Sequence, residues 1–532
     1  MIRYPRALWM FALALTLVTS LPYLIPALNT PSGYSYTGAA ALPNGISVDY
    51  NSHLAKMWQG RRGDSGYRLL FTSEDHAALP LVQGFYVALG TITPFNLTVT
   101  YHMARAVLIF ALVTTLWAFG ARFFTDQAER WTFLLFATLV SGVSYLLLFI
   151  APAQASNIAP IEFWLIDAYN LAGALFMPHF AAAICLQIIA VLAFLDHRPL
   201  VLTFALASLS IVQPYVIVLT IPLFGLLTLH AVIFKHTPLR QTFWLVIPFA
   251  AQTVLTLIQF AATQSDPIWR SFTAQNITLS PPPLYYVLGY LPFLIPVLAG
   301  VRKRHLRLND LALPILWIVI VLILLYAPLP TQRRYLIGLQ TPLAVVAALG
   351  WSALIQRLRS RRRTLVTGIY ITFAALPIAL LILANTTAQN PALYMSQDLV
   401  SAYEWLRRET NDEDAILTTF DISGAGSGGQ LVAQTGQRVF IGHWIETTNF
   451  GAKIELVRRF YDTAEPASWR CEFLRDWNIV YIWHDAFARA QGDFNPANAP
   501  FLRREYANES VVIYQYLPEV CDGLLYNSTV EN

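Results

Sequence analysis

Leu171 to Leu195 reads LAGALFMPHFAAAICLQIIAVLAFL, a run without one Asp, Glu, Lys or Arg. A helix needs about 20 apolar residues to cross about 30 Å of hydrocarbon. The run therefore predicts a transmembrane helix, with Cys185 inside it as a packing residue. Similar runs recur at 7–27, 97–120, 132–151, 214–234, 242–262, 283–300, 311–328, 336–355 and 364–384. A shorter run, 200–212, stops at Gln213-Pro214, so 200–234 predicts a tight helical hairpin. The expectation is about eleven spans. With 56% hydrophobic and 12% charged residues, the 532-residue chain is excluded from the ordinary water-soluble globules. Leu21, Tyr23, Leu24, Ile25 and Leu28 carry the first run past the length of a signal peptide, which predicts an uncleaved anchor.

Basic residues set the orientation, because Lys and Arg collect in short cytoplasmic connections. With the N-terminus inside, the inner connections hold Arg3, Arg6, Arg122, Arg130, Arg198, Lys235, Arg240, Arg302, Lys303, Arg304, Arg307 and five arginines between Arg357 and Arg363. The outer ones hold only Lys56, Arg61, Arg62, Arg68, Arg270, Arg333 and Arg334. The net charge of +4 is thus a matter of topology and argues for no nucleic-acid partner. An odd number of spans leaves residues from about 385 onward outside the cytoplasm, in the inner (plasma) membrane's outer compartment. There Cys471 and Cys521 share an oxidising environment in which a disulfide can form. Trp131, Tyr145, Trp164, Tyr169, Tyr285, Tyr286 and Tyr290, near span ends, fit an interfacial aromatic belt.

The last 150 residues or so change character. Leu399–Leu406 carries apolar residues at helical spacing, and Ala415–Phe420 reads as a buried strand. Further strands are predicted at 438–442, 479–483 and 511–516, with helices near 450–462 and 468–477. The expected fold class is mainly α: a polytopic helical bundle over 1–384, with a first outer loop at 28–96, and a small α/β domain over 385–532. Gly424-Ala425-Gly426-Ser427-Gly428-Gly429 imitates a dinucleotide loop, but Gln430–Gln434 is barely a turn before Thr435-Gly436. The expectation is a glycine loop and no cofactor.

Three polar clusters carry the candidate chemistry. The first outer loop holds Asp49 and His53, four apart and so on one face if 48–59 is an interfacial helix with Lys56 one turn on. Leu54, Met57 and Trp58 would rest on the membrane. Glu74, Asp75 and His76 close the same loop. The second cluster, His102 and Arg105 with Asp167 and His179, lies at the outer ends of spans, where ionisable groups face a bundle interior or cavity; Arg105 is a candidate to neutralise Asp167. The third is Gln332-Arg333-Arg334-Tyr335, two arginines that oppose the positive-inside trend and whose guanidinium forks match phosphate oxygens. Asp49, His53, Glu74, Asp75 and His76 are also divalent-metal ligand types, without the spacing of a strong metal signature.

In this order the clusters resemble the GT-C superfamily of polytopic glycosyltransferases, which includes protein O-mannosyltransferases and aminoarabinose transferases. The resemblance rests on Asp49 in the first outer loop and on Arg333/Arg334-Tyr335 with Pro342 at a late span. The segments Tyr403-Glu404-Trp405-Leu406, Thr435-Gly436-Gln437-Arg438-Val439, Gly442-His443 and Phe501-Leu502 look like the extracytoplasmic domain of uncharacterised bacterial members. Many members pair two acids in the loop, whereas here Tyr50 follows Asp49 and the next acids are Asp64, Glu74 and Asp75.

The resemblance implies an inverting transfer from a polyprenyl-phosphate sugar to an extracytoplasmic hydroxyl of a glycan, lipid or protein. Asp49 would be the base, and Arg333, Arg334 and Tyr335 would hold the lipid phosphate. His53, Glu74, Asp75 and His76 would meet acceptor or sugar, and His102, Arg105, Asp167 and His179 would line the cavity. No soluble cofactor is implied. A secondary transporter, which would show internal repeats, and a non-catalytic scaffold for lipid-linked glycan assembly are the alternatives.

Overall fold

The computed structural model describes residues 4–150, 159–302, 311–420 and 426–522. The chain divides into two compact units. The first comprises Met1–Pro22, Tyr101–Ile258 and Ile277–Ala388; the second comprises Tyr23–Thr100, Gln259–Asn276 and Gln389–Asn532.

Apolar helices dominate the first unit. Among the described residues four helical stretches are long and apolar enough to cross a membrane: Leu97–Gly120, Pro178–Leu195, Pro214–Phe234 and Leu239–Ser265. Three bent pairs would each make one more: Arg6–Val18 with Leu21–Leu28, Pro283–Gly289 with Leu291–Gly300, and Ser360–Ala374 with Leu376–Thr387. Shorter apolar helices are Pro199–Val212, Ala312–Leu324 and Gln340–Ile355. The hairpin expected over 200–234 forms, turning at Gln213-Pro214. Leu226, Ile233, Phe234 and Leu257 point outward, as side chains dissolved in lipid do.

Besides the three bent pairs, two more predicted spans are not continuous helices. The run 171–195 breaks into Asn170–Phe176 and Pro178–Leu195. Proline has no N–H to give and pushes the preceding residue out of the helical region, and Met177 is accordingly extended (φ −120°, ψ 102°). The run 132–151 is a helix only over Gln127–Thr138, followed by short helical turns at Ser144–Leu146 and Leu147–Ile150. Buried Gln340 joins these broken ends. Its Nε2 donates to the carbonyls of Phe136 and Val140 at 2.8 Å, and its Oε1 accepts from the Asn170 amide at 2.6 Å. A side-chain amide thus satisfies backbone groups that water cannot reach. The expected aromatic belt is corrected at Tyr145, Tyr169, Tyr286 and Tyr290, all buried. Tyr169 donates to the Gly289 carbonyl and Tyr290 to that of Ala168, both at 2.7 Å, so they brace the bundle from inside.

The second unit is built on a five-stranded mixed sheet whose strands lie in the order Arg438–Val439, Ala415–Leu417, Ile479–His484, Val512–Tyr516, Leu502–Ala507. β5 (Ala415–Leu417) runs parallel to β6 (Arg438–Val439) and β7 (Ile479–His484); β9 (Val512–Tyr516) is antiparallel to β7 and to β8 (Leu502–Ala507). Helices Gln397–Glu409, Gly428–Thr435, Phe450–Phe460 and Ala467–Asp476 accompany it. Of the glycine loop, Gly424 and Ala425 lie outside the described residues; Gly428 begins a helix of two turns. Cys471 and Cys521 form a disulfide.

The polar loop 28–96 is part of this unit. β1 (Tyr34–Tyr36) pairs antiparallel with β4 (Tyr394–Ser396). Ala55, Leu70 and Phe71 share one hydrophobic core with Ile416, Val439 and Trp483, and Val48 joins another with Leu417 and Phe440. The expected helix is longer than 48–59, running Asn44–Arg62. Its apolar side does not lie on a membrane: Leu54 and Met57 are buried, and Trp58 donates to the Ala433 carbonyl at 2.8 Å. Helix Gly84–Ile92 covers it closely because both helices place a glycine at the crossing. A Cβ on Gly60 would stand 1.9 Å from the Val87 carbonyl oxygen, and one on Gly90 1.9 Å from that of Met57.

Candidate functional site

Helix Asn44–Arg62 aligns Asp49, Ser52 and Lys56 at spacings of three and four, which puts them on one face. That face meets the turn His443–Thr448 between β6 and helix Phe450–Phe460. Within the turn the Nδ1 of His443 accepts the backbone amides of Ile445 at 3.1 Å and Glu446 at 3.2 Å. Thr447 Oγ1 accepts the amides of Gly442 and His443 and donates to the Phe71 carbonyl at 2.8 Å. Gln275, at the end of helix Pro267–Gln275, clamps the turn from outside by donating to the carbonyls of Ile445 and Thr447.

Glu446 is buried and fully engaged. One carboxylate oxygen accepts from Lys56 Nζ at 2.8 Å and from Ser52, and the other accepts from the Tyr67 hydroxyl. Burial alone would push this carboxyl up; the charge of Lys56 and the hydrogen bonds of Lys56 and Ser52 outweigh it and hold the group below the ordinary carboxylate range. Burial and the Glu446 charge push the Tyr67 phenol up, so it stays protonated and donates.

Asp49 differs from these inner groups. Its side chain is 37% exposed, and its Oδ1 lies 3.7 Å from Nε2 of His443, a ring that is itself 3% exposed. Because Nδ1 of His443 is occupied as an acceptor, the ring proton sits on Nε2, the atom facing Asp49.

The other loop residues hold the unit together. His53 is buried and stacks on Tyr86 with ring centroids 4.0 Å apart. Glu74 pairs with buried Lys453 at 2.6 Å; burial, against the pull of Glu74, pushes the Lys453 amine down to about 8. Asp75, largely exposed, meets Arg438 at 3.4 Å. Arg438 also donates to the carbonyls of Ser73 and Glu74. His76 uses both ring nitrogens on the main chain, accepting from the Leu69 amide at 2.9 Å and bonding the Glu74 carbonyl at 2.6 Å. Burial pushes its pKa down, which suits a neutral brace. Among the described residues no three His, Cys, Asp or Glu side chains converge as metal ligands would.

The arginine cluster lies in the first unit. Two short 3-10 turns, Ile166–Ala168 and Gln332–Leu336, bring Asp167 and Arg334 together at 3.0 Å. Asp167 is thus held by Arg334, where the sequence suggested Arg105. Arg105 is buried and donates to the Thr19 carbonyl at 2.9 Å and to Ser20. Arg334 also lies over the Phe180 ring, whose other neighbour is His179, and Arg333 lies over Trp164. The Nε of Arg333 is buried without a hydrogen-bond partner among the described residues. Tyr335 is buried, accepting from Thr331 and packing edge-on to Tyr215. His102 packs edge-on against Tyr101.

Sequence reasoning named Asp49 and the arginines but gave no role to His443, Glu446, Lys453 or Arg438. The available signal was four polar or charged residues, His443, Glu446, Thr447 and Thr448, in a short stretch without proline between a strand and a helix.

The class defined by these features is a mainly helical, multi-pass membrane protein whose first loop and last segment share one α/β unit. The chain is similar to the oligosaccharyltransferase of Archaeoglobus fulgidus in its apo form, with 13% identity over 96% of this chain and 74% of that one and a TM-score of 0.48. It is also similar to an arabinofuranosyltransferase from mycobacteria, with 15% identity over 97% of this chain and 40% of that one and a TM-score of 0.48. No family model and no curated protein matches the sequence.

Proposed function

We propose that this protein is a membrane glycosyltransferase that moves a sugar from a polyprenyl-phosphate donor to a hydroxyl acceptor outside the cytoplasm, with inversion at the anomeric carbon. The reading places about eleven spans in the plasma membrane, the N-terminus inside, and the first loop and C-terminal α/β domain outside. The disulfide Cys471–Cys521 supports an oxidising compartment for that domain.

The observation that carries the reading is the contrast among the loop acids. Glu74 and Asp75 lie against the cations Lys453 and Arg438, while Asp49, 37% exposed, has its Oδ1 3.7 Å from Nε2 of His443. A general base must reach the proton it takes. Asp49 would accept the acceptor's O–H proton as that oxygen bonds to the anomeric carbon, and the C–O bond to phosphate would break with its electron pair leaving on the phosphate. Arg333 and Arg334 would stabilise that departing anion, a role in which one lost donor typically costs about 10²–10³-fold. Glu74, Asp75 and the braced His76 would shape the loop that meets acceptor and sugar. No soluble nucleotide sugar enters the scheme.

The test is sugar release from radiolabelled polyprenyl-phosphate hexoses by the purified protein in lipid nanodiscs. Turnover by the parent should fall at least about 10²-fold in Asp49→Asn, the scale of general-base catalysis, and comparably in Arg333→Ala/Arg334→Ala. Folded variants that turn over as fast as the parent would remove these residues from the chemistry.

A further inference from the structure

His443 is the least explained group in the second unit. Its ring is 3% exposed, and Nε2 has no hydrogen-bond partner among the described residues. A buried donor left unmatched carries the full cost of its lost hydration, so its retention calls for an acceptor that it meets in the working state. The ring cannot turn to hide it, because the Ile445 and Glu446 amides fix Nδ1 and the rings of Phe71 and Trp444 flank it. The nearest charged groups are accounted for: Lys56 and Glu446 hold one another, with Tyr67 on the second oxygen of Glu446. What Nε2 faces is the carboxylate of Asp49, at 3.7 Å, a few tenths beyond hydrogen-bond range.

We propose that His443 is a positioning residue for Asp49, donating its Nε2–H to one carboxylate oxygen so that the other faces the acceptor hydroxyl. The inference rests on reading Asp49 as the base. A small rotation of the partly exposed Asp49 side chain closes the gap. His443 neither gains nor loses a proton in the transfer: it favours the ionised carboxylate and fixes which oxygen receives the acceptor's proton. The Lys56–Glu446 pair has a second job in this arrangement, because the amide of Glu446 holds Nδ1 while its side chain holds the helix that carries Asp49.

Two substitutions separate this role from a purely structural one. His443→Asn retains an acceptor where Nδ1 was, so the turn keeps its amide bonds, but it loses the outer donor. His443→Gln restores an N–H near the Nε2 position. In the nanodisc assay, the Asn variant should lose about 10- to 100-fold in turnover, the value of one hydrogen bond to a charged group. Its acidic limb should move to higher pH, and the Gln variant should recover part of both. An Asn variant with parental rate and pH profile would overturn the proposal.

A second measurement does not depend on turnover: solid-state ¹⁵N spectra of histidine-labelled full-length protein in nanodiscs, with the His443 signal identified by its loss in His443→Gln. The expected result is an Nε2-protonated neutral ring whose Nε2 shift moves in Asp49→Asn. An Nδ1-protonated ring, or a shift indifferent to Asp49→Asn, would refute the pairing. Coupling in the spectra with no sugar transfer by the parent would leave the pair standing and remove the catalytic reading instead.

Discussion

Replacing Lys56 by Met leaves the Glu446 carboxylate buried without its counter-charge. Both side chains are nearly inaccessible, at 3% and 5% exposure, and 2.8 Å separates Nζ from Oε1. At an effective dielectric near 20, charges at about that distance attract by about 6 kcal/mol, and taking both out of water consumes several kcal/mol of it. The intact pair therefore contributes little net, whereas the orphaned acid retains its desolvation cost without compensation. Loss of one partner of a buried pair typically costs about 3–5 kcal/mol, a shift of two to three or more orders of magnitude in the folding equilibrium. Glu446→Gln/Lys56→Met should recover most of the loss, since one of the Ser52 and Tyr67 hydroxyls can still donate to the amide oxygen while the amide N–H donates to the oxygen of the other. The assay is the fraction of monomeric, protease-resistant second unit left after heating in detergent, for both single variants and the double. The pH dependence carries a sign as well. Glu446 is held below the ordinary carboxylate range, so its contribution is present above about pH 4.5 and is lost as pH falls through the lower folded value. A Lys56→Met cost under about 1 kcal/mol, the value of a surface pair, would refute the argument that this contact is a desolvated staple.

Three further outcomes follow from the same unit. Gly90→Ala should destabilise it by about 1–3 kcal/mol, because the new Cβ falls 1.9 Å from the Met57 carbonyl oxygen; Gly451→Ala, in a helix with nothing within 4 Å, should be neutral or slightly stabilising in the same melting experiment. Burial, with Arg489 adding to it, pushes His484 down to about 4. Since the unfolded imidazole titrates near 6.5, stability should be full above about pH 6.5 and fall towards pH 4, and thermal scans of His484→Asn should be flatter across that window. Cys471→Ser opens a loop spanning 50 residues, which in the chain-entropy view costs about 4 kcal/mol and should appear as a lower melting point that reductant no longer changes.

The apolar helices were legible because hydrocarbon imposes a length and a composition on any helix that crosses it. What blurred them was local backbone chemistry that hydropathy does not register, namely Pro178 ending one helix and starting another, and Gln340 paying for backbone ends elsewhere in the bundle. The strands at 415, 479 and 512 and the helices at 397, 450 and 467 were legible by period. β8 was not, since its sequence Leu502–Ala507 carries Arg503, Arg504 and Glu505 in a row and shows little apolar alternation.

The fate of the loop acids shows why site reading from sequence stops where it does. Asp49, Glu74 and Asp75 look alike in a polar loop, and what separates them is the set of cations contributed by residues more than 300 positions away. Lys453 and Arg438 take Glu74 and Asp75, Lys56 turns inward to Glu446, and Asp49 faces an imidazole whose Nδ1 is fixed by two backbone amides. A carboxylate beside a cation is stabilised but less basic; one beside a neutral donor is oriented while keeping more of its basicity. The long-range pairs therefore do more than fasten the loop: they give each of its acids a different neighbour, a difference that no pattern within the loop itself encodes.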